Sequence, residues 1–227
     1  MPTPSIIAID GPAASGKTTL ARLLAERLGY LFVDTGAMYR AVTLAALERG
    51  VPVDDQPAVE GIAEGLAIDI RPPSASDGRF YDVLADGADV TWGLRSRQVD
   101  AHVSQVSAYP GVRRAMTRRQ REIGLRGRVV MVGRDIGTVV LPEADLKLYV
   151  DASLEERAKR RHRELVERGE TADLHAIESA MAERDRYDSS RTLAPLRPAE
   201  DARILNTTDI GVEQAVERAL ALARGEA

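Results

Sequence analysis

Apolar positions along the chain alternate between short continuous runs and helically spaced sets, in the order typical of strands followed by helices. The continuous runs predict buried strands at 5–10, 30–33, 129–132, 146–150 and 202–205. The spaced sets predict helices over 17–28, 38–47, 96–108, 112–124 and 212–224. Strands that alternate with helices predict an α/β fold, with a parallel five-stranded sheet covered on both faces.

The pattern changes in the middle of the chain. Residues 51–61 contain Pro52, Pro57 and several acids, and they predict a loop. Residues 66–71 and 79–91 alternate apolar and polar positions and are interrupted by Pro and Asp-Gly, which predicts strands and a hairpin. We therefore expect a small β insertion near 62–95.

A glycine-rich segment follows the first predicted strand and opens the first predicted helix. Residues 11–18 match G-x-x-x-x-G-K-[ST], the pattern of a phosphate-binding loop. A plain strand-to-helix turn would have to match it by accident. We expect ATP to bind the residues of this loop, namely Gly11, Pro12, Ala13, Ala14, Ser15, Gly16, Lys17, Thr18 and Thr19. Lys17 would lie near the β and γ phosphates, and the Thr18 hydroxyl would ligate Mg²⁺.

The loop alone does not separate kinases from GTPases or motor ATPases. A guanine-reading N-K-x-D is not matched, because Asn206-Thr207-Thr208-Asp209 has no lysine. The 129–132 run ends in Gly133-Arg134-Asp135 instead of the Asp-Glu pair of motor ATPases. These differences favour a small-acceptor kinase.

Arginines follow two of the predicted strands. Arg40 comes shortly after Thr35, and Arg134 precedes Asp135. Ligands of α/β sheets collect at the carboxyl ends of strands, so we expect these four side chains near the phosphate-binding loop. A single arginine would more often be a solvated surface residue, but two at neighbouring strand ends favour a second phosphate site.

Two further charged sets share helix faces. Arg157, Arg160 and Arg161 form one set, and the other consists of Arg184, Asp188 and Arg191. An ordinary solvated helix explains both sets equally well. Their position after the 146–150 run favours a lid whose arginines close over the transferring phosphoryl group.

Composition excludes several other classes. The 227-residue chain has a formal net charge of −4, which argues against binding nucleic acid by bulk charge. It has no cysteine, which excludes disulfides and thiolate metal sites. The apolar run at 6–9 is too short for a signal peptide or a membrane span. We expect a cytoplasmic enzyme without a membrane or nucleic-acid partner.

Four segments together resemble a known family. The strings IDGPAASGKTTLA, DTGAMYRAV, GRDIGTVVLP and RDRYDSSRTLAPL are similar to the bacterial cytidylate kinases, which are nucleoside monophosphate kinases. The likeness runs over nearly the whole chain. It implies a monomer with one P-loop NTPase core (1–35, 113–155 and 172–227), a monophosphate-binding region with the β insertion (36–112) and a short helical lid (156–171).

The resemblance also implies roles for individual residues. Thr35 and Tyr39 would lie near the acceptor nucleotide, and Arg40, Arg134 and Arg191 would hold its phosphate. Ser104, Arg113 and Asp135 would face cytosine, and Arg184 with Asp188 would face the sugar. The base assignment is chemically reasonable, because a carboxylate accepts from the 4-amino group that uracil lacks.

The implied reaction is in-line transfer of the γ-phosphoryl group of Mg-ATP to CMP or dCMP. Catalytic charge would come from Lys17, Arg134, Arg157 and Arg161. Two alternatives remain open: another small-acceptor P-loop kinase, such as a shikimate or different nucleotide kinase, and a non-enzymatic regulator that binds ATP. RNA binding is disfavoured, because the arginine stretch has no interleaved aromatic residues.

Overall fold

The computed structural model describes residues 3–167, 169–191 and 194–226. Arg168 of the predicted lid and Thr192-Leu193 of the fourth motif lie outside the described residues. The strands are β1 (Ile6–Asp10), β2 (Leu31–Asp34), β3 (Ile68–Arg71), β4 (Asp82–Ala85), β5 (Ala88–Asp89), β6 (Val129–Val132), β7 (Leu146–Asp151) and β8 (Arg203–Asn206). The helices are α1 (Lys17–Leu28), α2 (Thr35–Glu48), α3 (Gln56–Gly65), α4 (Arg97–Val106), α5 (Pro110–Gly124), α6 (Leu154–Glu167), α7 (Leu174–Ser190) and α8 (Val212–Arg224).

The larger sheet is parallel and has the strand order β2-β6-β1-β7-β8. β1 pairs with β7 from Ile7 opposite Leu146, and β7 pairs with β8 from Leu148 opposite Arg203. All four residues of β6 are buried, as expected for a strand covered on both faces. The predicted α/β fold with a five-stranded parallel sheet is confirmed.

Two compact units make up the described chain. The first unit consists of the described residues up to Gly29 and from Val130 onward. Its α1 packs against α8, and its α6 packs against α7. The helices described in residues 3–167, 169–191 and 194–226 include none with the length and apolar character of a bilayer span.

The second unit is Tyr30–Val129. Here α2 packs against α4 and α5, and α3 packs against α5. The strands β3, β4 and β5 form an antiparallel sheet in the region where the alternating pattern predicts the β insertion. Arg79 stabilises this sheet, because its guanidinium lies 2.9 Å from Asp82 Oδ1 and 2.6 Å from Asp89 Oδ2.

One prediction is wrong: residues 51–61 are not a loop throughout, because α3 begins at Gln56. The Asp55 side chain caps this helix by accepting from Ala58 N at 3.1 Å. Pro57 lies in the first turn, where its missing N–H costs no hydrogen bond. The prolines and acids therefore mark a helix start.

The second helix also begins earlier than predicted, at Thr35 instead of residue 38. The Asp34 carboxylate accepts from Gly36 N at 3.0 Å and caps the helix directly after β2 ends. Thr35 and Gly36 therefore belong to the first turn of α2.

Candidate active site

The phosphate-binding loop lies between the end of β1 and the start of α1, as predicted. A Cβ atom on Gly11 would lie 2.0 Å from the backbone oxygen of Val150, so this position accepts no side chain. Gly16 has a φ of 86° and begins the helix without a side-chain cap. The first turn of α1 also contains no acidic residue, which leaves its N–H groups and positive dipole end to an anion.

Three side chains from later in the chain hold the loop from outside. The Thr207 hydroxyl donates to Ser15 O at 2.9 Å, and Arg160 Nη1 donates to the same oxygen at 3.4 Å. Arg157 Nη1 donates to Ala13 O at 3.4 Å. Within the loop, Lys17 Nζ donates to Pro12 O at 2.7 Å. Three backbone oxygens of the loop, those of Pro12, Ala13 and Ser15, therefore accept from side chains of the protein itself.

The predicted lid arginines of α6 differ in their surroundings. Arg157 is 5% exposed, and its Nη2 lies 2.7 Å from Asp185 Oδ2 on α7. Arg161 is half-buried, and its Nη1 lies 2.8 Å from Glu164 Oε2 on the same helix. The structure therefore places Arg157 and Arg160 against the phosphate-binding loop, while the Arg161 guanidinium pairs along its own helix.

A second cationic cluster surrounds Asp188, which is 1% exposed. Its carboxylate lies 3.0 Å from Arg134 Nε, 2.5 Å from Arg191 Nη2 and 4.0 Å from Arg184 Nε. Among the described residues, neither carboxylate oxygen has an aligned hydrogen-bond donor, and Arg134 Nη1 and Arg191 Nε are buried without an acceptor. Three guanidinium groups around one carboxylate leave a net positive charge suited to a phosphate.

The end of β1 contacts the segment that follows β6. Asp10 Oδ1 accepts from Ile136 N at 2.8 Å, and Asp10 Oδ2 accepts from Gly137 N at 2.7 Å. Burial raises the pKa of Asp10 to about 7, although these N–H groups lower it; the charge of Asp135 adds to the rise and that of Lys17 opposes it. Asp10 and Asp135 therefore lie within electrostatic reach of each other.

The remaining predicted residues lie in the second unit, around α2. Tyr39 is buried, and the Arg113 guanidinium carbon lies 5.8 Å from its ring centroid. Arg40 Nη1 donates to Leu94 O at 3.0 Å and to Asp100 Oδ1 at 2.6 Å. Asp100 lies one turn before Ser104 on α4, so Ser104, which is exposed, shares that helix face.

Thr35 is buried at the N-terminal end of α2, five residues before Arg40. The second unit thus brings Arg113 to the Tyr39 ring and pairs Arg40 with Asp100, which lies one helical turn before Ser104 on α4. Whether these residues bind a nucleotide stays a prediction.

Sequence reasoning missed Asp10, Asp185 and Thr207. Their partners lie far away along the chain, so no local pattern signals them. The motifs did contain a trace of Asp10, because it stands directly before the phosphate-binding loop in IDGPAASGKTTLA. The sequence around Thr207 matches only an incomplete guanine-reading motif.

Comparison with known proteins identifies the family. The family model described as Cytidylate kinase matches residues 7–225. A cytidylate kinase from Chloroflexus aggregans (strain MD-66 / DSM 9485) is 53% identical over 224 residues, which cover 99% of this chain and 95% of the relative. A cytidylate kinase from Roseiflexus castenholzii (strain DSM 13941 / HLO8) is 50% identical over 225 residues, covering 99% and 94%.

A solved structure supports the fold alone. It is a gluconokinase from Sinorhizobium meliloti 1021, which has a TM-score of 0.51 and 15% identity and covers 99% of this chain and 94% of its own. The family predicted from the four sequence motifs is confirmed by the full-length match. The chain belongs to the cytidylate kinase family.

Proposed function

We propose that this protein transfers the γ-phosphoryl group of ATP to CMP, the activity for which its family is named, and that dCMP is a second acceptor. The observation that supports this most directly is the pairing of two strand ends. Gly133 N donates to Ile9 O at 3.0 Å, so the segment after β6 begins beside the end of β1. The phosphate-binding loop follows β1, and Arg134 and Asp135 follow β6. The two segments to which we assign the phosphates of ATP and of CMP therefore start from neighbouring strands.

The donor nucleotide would bind residues 11–19. The α1 N-terminus and the loop backbone would take the phosphates, and Lys17 would leave Pro12 O to neutralise the β and γ oxygens. Thr18 is exposed in the first turn of α1, and one hydroxyl fits Mg²⁺, which keeps most of its waters and takes its other ligands from phosphates. When bound, Mg²⁺ would supply further neutralisation of the phosphate charge.

We assign the acceptor nucleotide to the residues that the family resemblance names. Arg40, Arg134 and Arg191 would bind its phosphate, Arg184 and Asp188 its sugar, and Ser104, Arg113 and Asp135 its base, with Thr35 and Tyr39 nearby. The unpartnered N–H groups Arg134 Nη1 and Arg191 Nε support the phosphate assignment. Both arginines already pair with Asp188, so the phosphate would join an existing charge network.

Base selection follows from the chemistry of Asp135. An ionised carboxylate accepts from the 4-amino group of cytosine, whereas uracil presents an oxygen at that position and is repelled. A discrimination of about 1–3 kcal/mol is typical of such contacts, which corresponds to roughly 5- to 150-fold.

The transfer step requires no general base, because the attacking phosphate oxygen is already ionised near neutral pH. Catalysis then consists of positioning, charge neutralisation and exclusion of water. Lys17, Arg134 and Arg157 would supply fixed positive charge. Arg161 would contribute only after leaving Glu164, so its role depends on movement of α6.

The other open readings are less well supported. A shikimate-type kinase and a non-enzymatic ATP-binding regulator are not favoured by a family match over residues 7–225. The proposal includes a monomer that acts in the cytoplasm. It also keeps the division into core (1–35, 113–155 and 172–227), monophosphate-binding region (36–112) and lid (156–171).

The test is an acceptor panel in a coupled assay of ADP release. CMP and dCMP should support turnover well above UMP, AMP and shikimate, and ATP alone should be hydrolysed slowly. Asp135→Asn should lose most of the preference for CMP over UMP, while Asp145→Asn, a surface change, should keep it. A clear preference for UMP or AMP would refute the substrate assignment, and turnover independent of acceptor would refute the kinase.

A further inference from the structure

The Asp10 carboxylate joins two segments that the proposed function treats separately. It is the last residue of β1, is 4% exposed and stands directly before Gly11 of the phosphate-binding loop. Each of its oxygens accepts one backbone N–H, from Ile136 at 2.8 Å and from Gly137 at 2.7 Å. These two N–H groups lie directly after Arg134-Asp135. A residue next to the phosphate-binding loop therefore contacts the backbone of the segment that we assign to CMP.

Together with a second hydrogen bond, this contact fixes the backbone on both sides of Arg134 and Asp135. At its near end, Gly133 N donates to Ile9 O at 3.0 Å, and at its far end the two N–H groups reach Asp10. We call residues 133–137 the acceptor arch. The Asp135 backbone oxygen accepts from Val140 N at 3.1 Å, an i to i+5 hydrogen bond that starts the π-helical turn after this segment.

A carboxylate that holds the backbone at this buried position carries a cost in desolvation free energy. Burial raises the pKa of Asp10 to about 7, and the like charge of Asp135 adds to the rise. An uncharged residue would avoid this desolvation. The carboxylate does something that an amide cannot: both its oxygens accept, so it satisfies two adjacent N–H groups at once.

The phosphate-binding loop does not depend on Asp10 to the same degree. Thr207 and Arg160 bind Ser15 O, and Arg157 binds Ala13 O. Loss of the Asp10 carboxylate would therefore release the acceptor arch while these contacts keep the loop in place.

We propose that Asp10 is a positioning residue for the acceptor, which fixes Arg134 and Asp135 relative to the start of the phosphate-binding loop. The proposal rests on the proposed assignment of these two residues to CMP. Its consequence is selective: loss of the carboxylate raises the KM for CMP and weakens the preference for CMP over UMP, while the KM for ATP changes little.

The test compares Asp10→Asn and Asp10→Ala with a matched control. Asp145 also accepts two neighbouring N–H groups, from Ser5 at 2.8 Å and Ile6 at 2.9 Å, but at the opposite end of β1. In Asp10→Asn the side-chain NH₂ faces one of the two N–H groups, so one hydrogen bond is lost at almost constant volume. We expect the KM for CMP to rise about tenfold and the KM for ATP to stay within about twofold. Asp145→Ala should change neither KM.

Equal changes in both KM values, or an unchanged KM for CMP in folded Asp10→Asn, would overturn the proposal. If neither variant folds, amide hydrogen exchange in the wild-type protein tests whether CMP binding is coupled to the Asp10 contact. Slower exchange at Ile136 and Gly137 on adding CMP supports the coupling, and unchanged exchange contradicts it. Asp135→Asn separates the acceptor assignment from the positioning role. If this variant leaves the KM for CMP and the preference for CMP intact, the acceptor assignment fails. If it changes them and the Asp10 variants do not, the positioning role fails.

Discussion

Replacement of Asp188 by asparagine tests the cationic cluster around this buried carboxylate. The carboxylate lies 3.0 Å from Arg134 Nε and 2.5 Å from Arg191 Nη2. At an effective dielectric of about 20, each contact represents roughly 6 kcal/mol of gross attraction. Breaking a buried ion pair typically costs about 3–5 kcal/mol, because the remaining charge is uncompensated. The two arginine side chains are 20% and 15% exposed, so we expect the lower end of that range.

A loss of about 3 kcal/mol corresponds to a fall of roughly 6–12 °C in Tm for a chain of this size. Urea and thermal unfolding measure this effect directly. Glu164→Gln provides the control, because the Arg161–Glu164 pair has a similar separation of 2.8 Å but is 40% and 42% exposed. The control should lose less than about 1 kcal/mol.

Inorganic phosphate adds a second measurement. In Asp188→Asn, Arg134 and Arg191 have lost their shared counter-charge, so an anion that binds them replaces it. Phosphate should therefore raise the Tm of the variant more than that of the wild type. A variant that loses less than about 1 kcal/mol, or that gains no more from phosphate than the wild type does, would refute the reasoning.

Three further predictions follow from the site. Thr207→Val removes the hydroxyl that binds Ser15 O and should raise the KM for ATP about fivefold, with the KM for CMP as the internal control; an unchanged KM for ATP contradicts the anchoring role. Arg157→Met should lower the rate constant of phosphoryl transfer roughly hundredfold in single-turnover assays. Melting curves measure the separate effect of losing the pair with Asp185, and a rate constant near that of the wild type argues against a catalytic charge. Because the folded pKa of Asp10 is raised from 3.8 to about 7, the folded state binds more protons than the unfolded state between these values. The stability of the wild type relative to Asp10→Asn, measured by urea unfolding, should therefore fall as pH rises through that window, and a constant difference contradicts the raised pKa.

The strand and helix order was predictable because the central strands β1 and β6 are buried along almost their whole length. Continuous apolar runs and a glycine-rich connection identify β1 and α1 without ambiguity. The start of α3 was not predictable from composition, since Pro57 and the acids beside it occur equally in loops and in first helical turns. What decides the helix is the burial of Val59 and Ile62 on one face, which depends on packing within the second unit.

The candidate site was likewise predictable only in part. Lys17 and Arg134 are predicted as site residues from local motifs, because each belongs to a contiguous pattern in the sequence. Asp10 and Thr207 were missed, because their function depends on partners in distant segments. Arg161 shared a helix face with Arg157, yet only the three-dimensional arrangement shows that its guanidinium pairs with Glu164.

The side chains that anchor the phosphate-binding loop are made late in translation. The hydroxyl that reaches Ser15 belongs to a residue 192 positions later, and the guanidinium that reaches Ala13 belongs to one 144 positions later. The ribosome therefore completes the loop long before it makes the residues that support it. A chain halted halfway through translation carries the full motif but lacks the side chains that hold Ala13 O and Ser15 O.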